Sequence, residues 1–269
     1  MGRYRTGSPF DRHRAGRPFP VLDGRKEKNI VSEYDRPVLL VQMGDTPESM
    51  RGRAGNFDDM FCDCGLDRQL MRRVHVRNGE RPGSVSEYRA AIITGSIDMV
   101  TDRAPWSEYA AEWLRGAFAA GLSLLGVCFG HQLLAHALGG EIGYLPGGPE
   151  VGTHPVRMAA AAAADPLFAK LPPVFNANLA HGQTIAALPE GAVALAESER
   201  DRFQIVRYGE KAVSVQFHPE FTGAVMAAFA AAYAAADPGE AKRYEDLRNA
   251  ARDTPEAATL IPLFLESAR

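Results

Sequence analysis

The chain has 269 residues, of which 46% are hydrophobic and 23% charged, enough for a substantial core in one large α/β domain or two small ones. A net charge of −3 gives no reason to expect a nucleic-acid or membrane surface as the main partner. Three cysteines in no even, regular set exclude a disulfide scaffold, the N-terminus lacks the apolar core of a secretory signal, and the longest small-apolar run (223–236) is too short to span a bilayer, so a cytoplasmic protein is expected.

Residues 1–36 carry nine Lys/Arg against five Asp/Glu and almost no periodic apolar pattern, and are expected to be a basic, flexible extension. The run 37–44 is a first, mostly apolar strand, as suits a parallel sheet covered on both faces. Thr46 and Pro47 then form an N-cap and first turn for a helix. Residues 56–66 are partly helical, and their Cys62 and Cys64 lack further ligands to complete a metal site. A second strand is expected over 69–76 and a third over 88–96, ending on the glycine turn Thr94-Gly95-Ser96. Trp106, Tyr109, Trp113, Leu114 and Phe118 recur at helical spacing and mark the apolar face of a helix over 105–120. The fourth strand is 122–127, followed by a helix over 132–138 closed by Gly139-Gly140. This β-α-β-β-α-β-α order predicts a doubly wound, mostly parallel α/β sheet.

Beyond Gly140 the pattern changes to short strand-like pieces at 141–145, 153–158, 174–180, 192–196, 203–208 and 212–217. A helix over 224–235 follows, broken at Asp237-Pro238-Gly239. Two helices, 240–252 and 255–267, complete a tail (237–269) packed on the domain 37–236, with Pro262 expected to kink or split the last one.

The chemistry concentrates at two places. Gly126-Val127-Cys128-Phe129-Gly130 joins a buried strand to a helix through a turn too sharp for side chains at its glycines. Such an elbow lifts Cys128 clear of the sheet and aims the free N–H groups of the following helix at its sulfur, which favours thiolate. A reactive cysteine needs a base. His218 lies just past the last strand with Pro219 behind it, and Glu220 two residues on is placed to orient the imidazole. His131, His136 and His181 are the other histidines that stand out.

Gly126-Val127-Cys128-Phe129-Gly130-His131-Gln132 followed far downstream by Gln216-Phe217-His218-Pro219-Glu220 resembles the class I, triad-type glutamine amidotransferases. Thr94-Gly95-Ser96, Asp102 with Pro105-Trp106, Leu138-Gly139-Gly140, Glu150-Val151-Gly152 and His181-Gly182 resemble further blocks of that family, so the likeness runs over about residues 37–236. Within the family the chain is most similar to stand-alone proteins related to the amidotransferase domain of GMP synthase. The resemblance implies a flavodoxin-like fold, with Cys128 as nucleophile on the glutamine side-chain amide, His218 as proton shuttle and Glu220 as its holder. It also implies an oxyanion hole from the backbone N–H groups of Gly95 and Phe129, and a hold on the amino-acid end of the substrate by Gln132. His181 is either substrate-facing or a loop histidine. Gln183 stands where the family often has an acid.

No cofactor or metal is implied. Nothing in these residues resembles the Ser-Gly-Gly-x-Asp-Ser loop of an ATP-pyrophosphatase domain or a Walker sequence, so any ammonia acceptor is expected to be a separate synthetase enzyme. Two enzymatic readings remain: hydrolysis of glutamine, or of γ-glutamyl peptides or conjugates through the same triad. A non-catalytic regulatory module on the same fold is the third, and the presence of Cys128, His218 and Glu220 together speaks against it.

Overall fold

The computed structural model describes residues 36–269; the expected basic extension lies outside them apart from Arg36. Eleven strands are present among the described residues: β1 (Val38–Gln42), β2 (Met71–His75), β3 (Ala90–Ile93), β4 (Ser123–Val127), β5 (Glu141–Tyr144), β6 (Glu150–Met158), β7 (Val174–His181), β8 (Gln183–Ala187), β9 (Val193–Glu197), β10 (Ile205–Arg207) and β11 (Ala212–Val215). The helices are α1 (Glu48–Ala54), α2 (Phe57–Asp63), α3 (Pro105–Ala119), α4 (Phe129–Ala137), α5 (Gly223–Ala236), α6 (Ala241–Ala250), α7 (Pro255–Ala258) and α8 (Leu260–Ser267). Nine strands form one sheet in the order β2-β1-β3-β4-β11-β10-β9-β6-β7, while β5 and β8 make a separate two-stranded ribbon. Pairing is parallel from β2 through β11 and antiparallel from β11 through β7.

Inside the edge strand β2, the parallel strands β1, β3, β4 and β11 are buried on both faces, which is why they read as mostly apolar runs. Along β1, Val38 and Leu40 face one cluster, whereas Leu39 and Val41 face the other. The two-residue period sends successive side chains to opposite sides. The second face is covered by α3 and α4 through Ala110, Leu114, Leu133 and Leu134. The first is covered by Phe61 of α2 and, from the tail, by Ala257, Leu260, Ile261, Phe264 and Leu265. The tail is thus part of the core on that face. No helix among the described residues is long and apolar enough to cross a membrane.

Three local expectations are corrected. Thr46 does not cap α1: Pro47 keeps an extended ψ of 137° and itself precedes the helix, and the Thr46 hydroxyl instead donates to the Gly55 carbonyl at 2.8 Å, tying the helix's far end to its start. The elbow helix begins at Phe129, directly after Cys128 and three residues earlier than expected. The last helix is broken at Thr259, ahead of Pro262, which sits in the first turn of α8, where its missing N–H has no partner to lose.

Strand register sets up the site. Ile93 pairs with Gly126, and Val127 with Val215, so the chain leaves the sheet at one level after β3, β4 and β11. In open α/β sheets, ligands bind at this carboxyl edge.

Because α8 seals a sheet face, Ile261→Ala is expected to destabilise the protein by about 2–5 kcal/mol through cavity formation. Lys242→Ala, on the exposed side of α6, should stay within about 0.5 kcal/mol of the parent. Urea denaturation of both variants measures the contrast.

Candidate active site

Cys128 occupies the sharp turn between β4 and α4 with φ 52° and ψ −104°, a strained conformation for a residue with a side chain. Two glycines make the turn possible. A Cβ on Gly126 would come within 2.5 Å of the Gly130 carbonyl, and a Cβ on Gly130 would strike the Ile93 carbonyl. The helix start therefore presses directly on the ends of β3 and β4, and the Gly130 N–H donates to the Thr94 carbonyl at 3.2 Å. Phe129, first residue of α4, has no intrahelical acceptor for its N–H. Cys128 is 5% exposed, and its Sγ faces the Ala180 carbonyl oxygen at 3.8 Å.

His218 arrives from the neighbouring strand, three residues past the end of β11. Its Nδ1 is 2.7 Å from Glu220 Oε1, and both side chains are nearly sealed from solvent. Burial works against the imidazolium, but the Glu220 carboxylate and the Cys128 sulfur outweigh it and push the His218 pKa up to about 10. The loop is clamped onto β7 by Asn178: its carbonyl accepts the His218 N–H at 2.8 Å, and its Nδ2 donates to the Phe221 carbonyl at 2.9 Å. Phe221 also stacks on the imidazole, with centroids 3.9 Å apart and planes 9° apart, and Phe229 stacks behind it at 4.7 Å. An aromatic face favours a cation lying on it. Gly95, past the end of β3, lies so close that a Cβ there would be 3.0 Å from His218 Cε1.

Cys128, His218, Gln132 and His181 line one cavity of about 310 Å³. Gln132 spends its amide group internally: Nε2 donates to the Gln183 carbonyl at 2.8 Å and to Gln216 Oε1 at 2.9 Å. His181 has both ring nitrogens engaged, Nδ1 with the Gln183 carbonyl at 2.9 Å and Nε2 with Glu150 Oε2 at 3.0 Å. Burial raises the proton affinity of Glu150, and the bonds from His181 and Ser198 outweigh it, so this carboxyl titrates low. His131 is fully buried against Ser214 Oγ at 2.7 Å, and burial drives its pKa down to about 3, so it is a neutral packing group. His136 lies near Glu108 at 3.0 Å, on the face of α4 toward α3. Cys62 and Cys64 are half-buried free thiols; burial and the Glu220 charge push Cys64 up to about 11.

Several wall residues carry no local sequence signal. Phe57 comes from α2, and Phe229 and Tyr233 from α5. Burial and the nearby Cys128 sulfur push the Tyr233 hydroxyl up to about 12. Gln183 ties β8 to the turn after β3: its Oε1 accepts from the Val100 N–H at 3.0 Å, and its Nε2 donates to Thr101 Oγ1 at 2.5 Å. The stretch 96–99 of that turn forms one side of the cavity.

The family pattern described as Glutamine amidotransferase class-I matches residues 60–230, more than half of the chain. The chain belongs to the class-I glutamine amidotransferases. It is similar to gamma-glutamyl peptidase 5 of Arabidopsis thaliana, 24% identical over 201 residues that span 73% of this chain and 80% of that one. It is also similar to a subunit of the glutamine-hydrolyzing GMP synthase of Methanocaldococcus jannaschii, 32% identical over 138 residues, 51% of this chain and 67% of that one. The fold matches a glutamine amidotransferase structure from Thermotoga maritima with a TM-score of 0.65 at 20% identity, over 87% of this chain and 99% of the other. The shared fold is a mixed central sheet, parallel from β2 through β11, flanked by helices.

The His218–Glu220 pair makes a signed prediction. The folded pKa of about 10 exceeds the ordinary 6.5, so the pair's contribution to stability is complete below about pH 6.5 and is lost as pH rises through about 10. Glu220→Gln should therefore be less stable than the parent at pH 6.5, with the difference closing above pH 10 in denaturant titrations. In the same variant burial is left without its main opponent, and an NMR titration should find His218 well below 10.

Proposed function

We propose that this amidotransferase hydrolyses the side-chain γ-amide of a γ-glutamyl group, glutamine being the simplest such substrate, through a Cys128–His218–Glu220 triad. The observation that carries the reading is the meeting, at three adjacent strand ends, of a cysteine strained onto a helix N-terminus, a buried imidazole held by a carboxylate at 2.7 Å, and a glycine turn, Gly95, close against that imidazole.

The Cys128 sulfur attacks the amide carbon. The carbonyl oxygen takes up negative charge, and the N–H groups of Gly95 and Phe129 are assigned to receive it. His218, as imidazolium, protonates the departing nitrogen, and the amine leaves while the γ-glutamyl thioester remains on Cys128. Water then attacks the thioester carbon, His218 takes its proton, and glutamate departs as the thiolate is restored. Glu220 stabilises the imidazolium throughout and holds the tautomer that points Nε2 at the reacting atoms. Gln132 Oε1, the atom of that amide left over from its internal bonds, is assigned to the amino-acid end of the substrate. His181 is assigned to holding the β7–β8 turn through its bonds to Glu150 and Gln183.

Release of ammonia from glutamine would call for a separate acceptor enzyme, a reading supported by the similarity to one subunit of a GMP synthase. Hydrolysis of γ-glutamyl conjugates needs no such partner. It is favoured by the similarity to a gamma-glutamyl peptidase and by the apolar wall beside His218.

Purified protein given glutamine or a γ-glutamyl amide should release glutamate, with Cys128→Ala as the blank. Cys128→Ser should lose at least about 1000-fold in kcat, since a neutral hydroxyl replaces the thiolate. Near-parental turnover by Cys128→Ser would remove Cys128 from the mechanism. Phe221→Leu, which takes the aromatic face from under His218, should lower the upper pKa of the kcat–pH profile while leaving KM within about twofold.

A further inference from the structure

We infer that the amine released at this site is neutral and apolar, so that the substrate class is the γ-glutamyl amide of an aliphatic or aromatic amine. The inference rests on the γ-glutamyl hydrolysis proposed above and concerns the leaving side of the scissile bond.

The cavity around Cys128 is divided by chemistry. One part carries the polar groups: Ser96, Asp98, Gln132 and Gln183 line it, with Ile97 and Met99 of the same turn among them. That part suits the charged amino-acid end common to every γ-glutamyl compound. The wall around His218 is built from Phe57 and from one face of α5. Phe229, Ala232, Tyr233 and Ala236 recur at positions i, i+3, i+4 and i+7 of that helix, so all four turn toward the same cavity. The rings of Phe57 and Phe229 lie 6.5 and 6.4 Å from the His218 ring. The two alanines leave room between the aromatic groups.

The group that protonates the departing nitrogen decides where the leaving amine sits. If His218 delivers that proton, whatever is bonded to the nitrogen occupies the His218 side, against Phe57 and α5. Ammonia has no apolar surface to place there. An alkyl or aryl substituent does, and each methylene it buries is worth roughly a fourfold gain.

Charge narrows the class further. Among the described residues no Lys or Arg lines the cavity, and the imidazolium of His218 is already paired with Glu220, so the carboxylate of a departing amino acid would meet no free counter-charge. A cationic diamine fares no better. The cavity's Asp98 is in the polar part, where it accepts the Ser96 hydroxyl at 2.6 Å and pairs with Arg77 at 3.1 Å. The Tyr233 hydroxyl is the single polar side-chain atom that α5 presents to the cavity. A neutral hydroxyl there can donate one hydrogen bond but cannot balance a charge.

The test is a substrate series on the full chain, with Cys128→Ala as the blank: glutamine, γ-glutamyl ethylamide, γ-glutamyl butylamide, γ-glutamyl anilide, γ-glutamylglycine and the γ-glutamyl amide of 1,4-diaminobutane. The expected result is a kcat/KM that rises several-fold from glutamine to ethylamide and again to butylamide and anilide. The glycine and diaminobutane compounds should fall at least tenfold below butylamide. Ala232→Asp should cut the butylamide-to-glutamine ratio at least tenfold. A flat series, or a preference for glutamine or for the charged leaving groups, overturns the inference and leaves γ-glutamyl hydrolysis standing. Silence toward every compound, glutamine included, overturns the hydrolysis and the inference together.

Discussion

The close approach of the α4 N-terminus to the ends of β3 and β4 is the constraint on which the site depends. Cys128 holds a backbone conformation that its own side chain disfavours. It is kept there because Gly126 and Gly130 allow backbone to meet backbone with no room for a methyl group on either residue. The parallel register of β3, β4 and β11 supplies the anvil, and the bond from Gly130 to Thr94 the clamp. The strain is local, while the packing that sustains it spans the middle of the sheet.

The antiparallel half serves the same edge from the other side. A buried imidazole and carboxylate are costly to remove from water unless their geometry is held. Here β7 holds it: Asn178 grips the His218 loop at two backbone points, and Thr153 of β6 fixes Asn178 in turn by donating to its Oδ1 at 2.7 Å. The Phe221–Phe229 stack carries the support on to α5. The parallel neighbours β4 and β11 therefore present the sulfur and the imidazole, and the antiparallel strands β6 and β7 hold the His218 loop in place.

Family membership and site chemistry answer different questions. The fold belongs to the class-I glutamine amidotransferases, and the fold does not say what is attached to the departing nitrogen of the proposed reaction. That is decided by the walls. The turn after β3, pinned by Gln183, and the inner face of α5 both line the cavity, the turn with Ser96 and Asp98 beside Ile97 and Met99, the helix with Phe229, Ala232, Tyr233 and Ala236. A site on a shared scaffold can change its leaving group by altering one helix face without touching the residues that break the bond.

Much of this was readable along the chain. The apolar runs of β1, β3 and β4, the helix spacing of α3, the elbow at Cys128 and the His218-Pro219-Glu220 corner are short-range patterns, set by sterics within a few residues, so the sequence by itself determined them. That the apolar residues of α8 close over one sheet face was seen in the tertiary packing. The sequence did not reveal β8, whose five residues begin with Gln183 and Thr184 and pair only with a distant ribbon strand. The Thr46 cap failed because the hydroxyl found a carbonyl at Gly55. Only the tertiary structure decided that His181 would have both nitrogens taken, that Asn178 would hold the His218 loop, and that Phe57 and Phe229, 172 positions apart in the numbering, would flank one imidazole. These are contacts between residues far apart in the chain. No local pattern encodes them, because which surfaces meet depends on how the sheet and its helices close over one another.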